Sequence, residues 1–142
     1  MFGRGRNHGE RIKFNRDFTD KGLAKLGDSL ANFVLSLAMS EFTGRPTGER
    51  VPNASLAMAL ELAGMRNLIP PRTDKHGKGD IAEAFLAYAW LKGYVTVEEA
   101  VEVVRRSLTD DVLNYGRKKE CIGRAFAELY RLLLDRTGMK SE

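Results

Sequence analysis

The sequence predicts an all-α, single-domain helical bundle. Three observations lead there. Apolar residues recur at steps of three and four along most of the chain. Glycines, prolines and capping residues fall where those periodic runs stop. No run alternates apolar and polar residues long enough to form a strand. At 142 residues the chain has the size of one ordinary domain and is long enough to bury a core.

The elements follow in order. Residues 1–17 read as a basic N-terminal arm, in which Arg4, Arg6, Arg11, Lys13 and Arg16 crowd together, and residues 18–142 as the helical domain. From Phe18 a helix begins, capped by Thr19 or Asp20, with Leu23, Leu26, Leu30, Phe33/Val34 and Leu37 as its main apolar stripe. Its opposite side carries Ala24, Asp28, Ala31, Leu35 and Met39. A helix apolar on both sides lies at the centre of a fold or packs against a second subunit. Gly27 lowers helix stability by roughly 1 kcal/mol relative to alanine, so its presence predicts close approach of another backbone.

The stretch "TGRPTGERVP" ends this helix, and "NASLAMALELAG" is a short second one that Gly64 closes. "MRNLIPPRTDKHGKG" reads as a loop, because two prolines cannot continue a helix. "GDIAEAFLAYAWL" is the third helix, stopped by Gly93. "TVEEAVEVVRRSL" is the fourth, with Thr96 and Glu99 in capping-box spacing. The last runs from about Lys118 to Arg136, with Ile122, Phe126, Leu129/Tyr130 and Leu133 on one face.

Composition narrows the chemistry. Hydrophobic residues make up 43% and charged residues 30%, the balance of a soluble globular protein rather than a disordered one. No apolar run approaches the roughly 20 residues that span a bilayer, and the N-terminus lacks an apolar signal core. A cytoplasmic protein without membrane attachment is expected. Cys121 stands alone, which excludes an intrachain disulfide and a cysteine-based zinc site. With only His8 and His76 to add, any bound metal must be a hard ion on oxygen ligands, magnesium or manganese.

The net charge of +4 suits a polyanionic partner without requiring one. Arg72, Lys75, His76 and Lys78 lead directly into the third helix, and Arg117, Lys118 and Lys119 form another cluster. A basic loop opening onto acids is where an anionic phosphate and a cationic metal can meet.

Those acids are Asp80 and Glu83, three residues apart in an otherwise apolar segment. One reading is local: Asp80 caps the helix and Glu83 reaches back to it. The other is that both hold a metal ion. Asp28, on the first helix, favours the second reading. If the two helices pack together, three carboxylates meet, and like charges raise one another's pKa unless a cation neutralises them.

"LGDSLANFV" followed by "GDIAEAFLAYAWL" resembles the catalytic domain of the ribonuclease III family, which has a glycine–aspartate pair on one helix and a later D-x-x-E-A segment on another. The resemblance covers roughly Phe18 to Lys92. It implies a metal-dependent endoribonuclease, usually using Mg2+ with Mn2+ as an alternative, that acts as a homodimer on double-stranded or structured RNA. Bound metal activates water, and the products carry 5′-phosphate and 3′-hydroxyl ends. Carried over residue by residue, Asp28, Asp80 and Glu83 become the catalytic and metal-binding acids. Arg72, Lys75, Lys78, Lys118 and Lys119 become the candidate RNA contacts.

The chain also departs from the family pattern. Glutamates expected seven and four residues before Asp28 are replaced by Lys21 and Ala24, and a later acidic position is Asn32. The length leads us to expect a form without the usual double-stranded RNA-binding domain, similar to the Mini-ribonuclease III branch, which also has alanine at the position of Ala24. Asn32 reads as a neutral oxygen ligand, a hydrogen-bonding partner of Asp28 or a simple packed amide, and His76 as a loop histidine. Two other functions fit the residues: a non-catalytic relative that binds RNA within a ribonucleoprotein, favoured by the missing glutamates, or a helical protein-interaction module.

Overall fold

The computed structural model describes residues 11–14 and 17–139. Among them are five α-helices: α1 (Lys21–Thr43), α2 (Asn53–Leu62), α3 (Lys75–Leu91), α4 (Val97–Ser107) and α5 (Lys118–Thr137). Short 3-10 turns occur at Arg66–Leu68 and Asp110–Leu113, and no described residue lies in a strand. No helix in this set is long and apolar enough to cross a membrane.

Local chemistry sets most helix ends. Asp20 caps α1, its Oδ1 accepting the Leu23 N–H at 3.0 Å. Gly44 ends the helix with φ of 78°, a conformation that L side chains rarely adopt. At α4 the expected capping box is formed: the Glu99 N–H donates to Thr96 Oγ1 and the Thr96 N–H to Glu99 Oε1, both at 3.0 Å. Glu99 also receives both terminal nitrogens of Arg136 at 2.9 Å, which ties α4 to α5.

The fold is built around α3, which packs along α1 and also against α2 and α5. Every residue from Ile81 to Ala89 is buried, as befits a helix apolar on all sides. Phe85 stacks on Tyr130 of α5 with ring centroids 6.1 Å apart. The buried Tyr130 hydroxyl donates to the Ala82 carbonyl at 2.6 Å. Phe18 packs edge-on against Phe85 and Tyr88, and Phe14 against Tyr88, so the described end of the N-terminal arm lies on α3. Arg4, Arg6, His8 and Arg16 fall outside the described residues.

Two expectations are corrected. The core face of α1 is mostly the other one: Ala24, Gly27, Ala31, Leu35, Ala38 and Met39 are buried, and of the expected stripe Leu23 and Val34 are buried while Phe33 is 55% and Leu37 36% exposed. Leu26 and Leu30 are only half-buried. The reason is steric at the crossing itself, where Gly27 leaves no room for a side chain against the Glu83 backbone. Helix α3 also starts earlier than expected. Asp74 is its cap, with Oδ1 accepting the Gly77 N–H at 2.8 Å, so Lys75 to Gly79 are helical rather than loop.

Candidate active site

The closest approach of α1 and α3 is at Gly27. A Cβ built there would lie 1.8 Å from the Glu83 carbonyl oxygen, so only glycine permits this approach, as its place in the sequence predicts. Asp28 is the next residue, and the approach brings its carboxylate to that of Glu83. Glu83 is almost wholly buried, at 5% exposure. Asp80 lies one turn before it on α3 and is half-buried. Because Asp74 caps the helix, Asp80 and Glu83 do not form the capping pair that the sequence also allowed.

Asp28, Asp80 and Glu83 line one cavity of about 390 Å³, together with Lys21, Ala24, Lys25, Arg50, Asn53 and His76. Burial pushes the Glu83 carboxyl up from its ordinary 4.5 to about 8, helped by its hydrogen bond with Asp28 and by the negative charges of Asp28 and Asp80. Arg50 acts in the opposite direction. At neutral pH in the absence of metal, Glu83 is therefore held mostly protonated, with its hydrogen bond to Asp28.

The donor set matches a hard divalent ion in type, because carboxylate oxygens are what magnesium and manganese prefer. Among the described residues, no three His, Cys, Asp or Glu side chains are gathered into a complete ligand set. Asp28 and Glu83 meet as a pair, while Asp80 Oδ2 lies 3.9 Å from His76 Nε2. The Asn53 amide nitrogen is 3.1 Å from His76 Nδ1 on the far side of that ring. Asn32 is not an oxygen ligand here. Its Oδ1 accepts the Val51 N–H at 2.8 Å, which turns its amide nitrogen toward Asp28 Oδ1 at 3.5 Å. It therefore orients Asp28 rather than joining it.

The ribonuclease III family model matches residues 21–139. The chain belongs to the ribonuclease III family. The match spans all five helices, well beyond the two segments that carried the resemblance in the sequence. No curated protein matches the chain.

Within this ribonuclease III domain the candidate RNA contacts are dispersed. Arg72 is exposed with φ of 64°, and Lys75 is exposed at the start of α3. Lys78 turns to Glu61 at 3.5 Å, and Lys118 to Glu49 at 3.0 Å. Lys118 borders a different cavity, beside Tyr115, and Lys119 is exposed nearby. None of the five lines the acid cavity. The cations that do are Lys21, Lys25 and Arg50. Lys25 was legible in principle, since Lys21, Lys25 and Asp28 share one face at helical spacing. Arg50 arrives from the segment between α1 and α2, which no local pattern foretells.

Glu83 makes the metal-free domain pH-sensitive. Its carboxyl binds a proton more tightly when folded, at about 8, than at its ordinary 4.5. Its contribution to stability is therefore fully present below about pH 4.5 and is lost as pH rises through about 8. In thermal melts with chelator, the midpoint is expected to fall across that range, and more steeply for wild type than for Glu83→Gln. Parallel profiles for the two proteins count against the raised Glu83 pKa.

Proposed function

We propose that this chain is a metal-dependent endoribonuclease that hydrolyses double-stranded or structured RNA to 5′-phosphate and 3′-hydroxyl ends. The observation that carries the reading is the Asp28–Glu83 contact at the α1–α3 crossing, with Asp80 on the wall of the same cavity. These three residues would hold Mg2+ or Mn2+. When bound, such an ion lowers the pKa of its water and polarises a phosphoryl oxygen.

The chain's own residues do the rest. Glu83 would give up its proton once a cation compensated a buried charge that is otherwise costly. The Asn32 amide fixes the Asp28 carboxylate. Arg50 lowers the cost of ionising Glu83. Hydrolysis by water with departure of the 3′-oxygen leaves the stated ends. Exposed cations around the acids favour a substrate met through its phosphates and read by A-form shape.

A homodimer fits the outer face of α1. Leu26, Leu30, Phe33 and Leu37 form an apolar row there, of which Phe33 and Leu37 are exposed, and such a row is what a second copy would cover. A single buried free thiol, Cys121, suits the cytoplasm.

The test is to incubate the purified full chain with long duplex RNA and structured ribosomal RNA, with and without divalent metal, after sizing it in solution. Cleavage only with Mg2+ or Mn2+, by a two-chain particle, is expected. RNA left whole in both metals overturns the enzymatic reading, and a one-chain mass overturns the dimer.

A further inference from the structure

Lys21 is the first residue of α1, where the helix's partial positive charge disfavours a cation, and no acid occupies that first turn. Helix stability does not explain its presence. Lys25 follows one turn later on the same face, and Arg50 reaches the cavity from the segment after α1. All three are exposed, yet all three line the cavity of Asp28, Asp80 and Glu83. Lys21 also borders the neighbouring cavity, again beside Asp80.

Some cations elsewhere find acids, as Lys78, Lys118, Arg105 and Arg136 do within 4.0 Å of a carboxylate, and others, such as Arg72, Lys75 and Lys119, lie away from the acid cavity. Among the described residues Lys21, Lys25 and Arg50 form no such pair, although carboxylates share their cavity. Three cations outside any ion pair, beside the buried Glu83 and the half-buried Asp28 and Asp80, leave a gap that suits an anion. Ala24, between the two lysines and Asp28, offers no ligand atom. The α1 wall of the cavity therefore presents a single carboxylate and two ammonium groups, and a second divalent ion on that side would face like charge at short range.

We propose that Lys21, Lys25 and Arg50 form a phosphate-binding rim, and that the pocket consequently works with one divalent ion, the lysines supplying the positive charge that a second ion would bring. This rests on the endoribonuclease reading above. Lysine suits the role as a point charge on phosphate oxygen, and arginine as a planar fork.

Two measurements that do not depend on activity test it. Calorimetric titration of Mn2+ into the full chain is expected to give one ion per chain, and two in Lys21→Glu/Lys25→Glu, where exposed carboxylates replace the lysines. Anisotropy of labelled duplex RNA in chelator is expected to show about tenfold weaker binding by Lys21→Gln/Lys25→Gln, with a salt slope lower by about two. Two ions in the wild type, no gain in the glutamate variant, or unchanged affinity and slope overturns the rim. Because both lysines are exposed, circular dichroism is expected to match wild type in both variants. If the variants behave as expected but the wild type leaves RNA whole in Mg2+ and Mn2+, the endoribonuclease reading fails while the rim stands. If the wild type cleaves and the variants bind like it, the rim alone fails.

Discussion

Replacing Gly27 by alanine is expected to unseat α1 from α3 and destabilise the domain by about 3 kcal/mol or more. The added methyl would lie 1.8 Å from the Glu83 carbonyl oxygen and 2.3 Å from its carbon. Both are backbone atoms, so no rotamer change relieves the overlap and a helix must move. Alanine's better helix propensity offsets only about 1 kcal/mol of this. The movement would part Asp28 from Glu83, so the steep pH dependence should vanish along with the stability. Urea unfolding reads the first effect and melts across pH the second. A Gly27→Ala protein as stable as wild type, with the same pH profile, would show that the helices do not meet as described.

Asp28→Asn and Glu83→Gln are each expected to lower cleavage by about 10³-fold or more while leaving fold and duplex binding nearly intact. The amides match the carboxyls in size, and the amide that Glu83→Gln introduces can still donate to Asp28 as the protonated acid does. What the substitutions remove is the negative charge that would grip a divalent ion in the proposed reaction, and a loss of about 10³ corresponds to about 4 kcal/mol of barrier. Single-turnover cleavage of duplex RNA in Mg2+, alongside Mn2+ titration, separates lost chemistry from lost substrate. An Asp28→Asn protein cleaving within about tenfold of wild type would remove Asp28 from the site.

Much of this was legible in the sequence wherever the determinant is local. Asp20 capping α1, the Thr96–Glu99 box, and the close approach marked by Gly27 are all signalled by residues a few positions apart. The acids were readable too, because carboxylates in an apolar run call for a partner. The orientation of α1 was not. Both of its faces are apolar, and only the tight seat on α3 decides that the alanines turn inward and Phe33 and Leu37 outward. The start of α3 was hidden by Gly77 and Gly79, which read as loop but sit within the helix behind the Asp74 cap. The pairing of two candidate RNA lysines was not legible for a spatial reason: Glu61 and Glu49, distant in sequence, meet Lys78 and Lys118.

Asn32 joins the two halves of the pocket. One end of its amide holds the Val51 N–H, next door to Arg50, and the other end faces Asp28. The segment that delivers a guanidinium and the helix that delivers a carboxylate are thus tied through Asn32, and again through Ser36, whose Oγ accepts the Glu49 N–H at 2.7 Å. A displacement of that segment is therefore expected to disturb the Asp28 carboxylate as well.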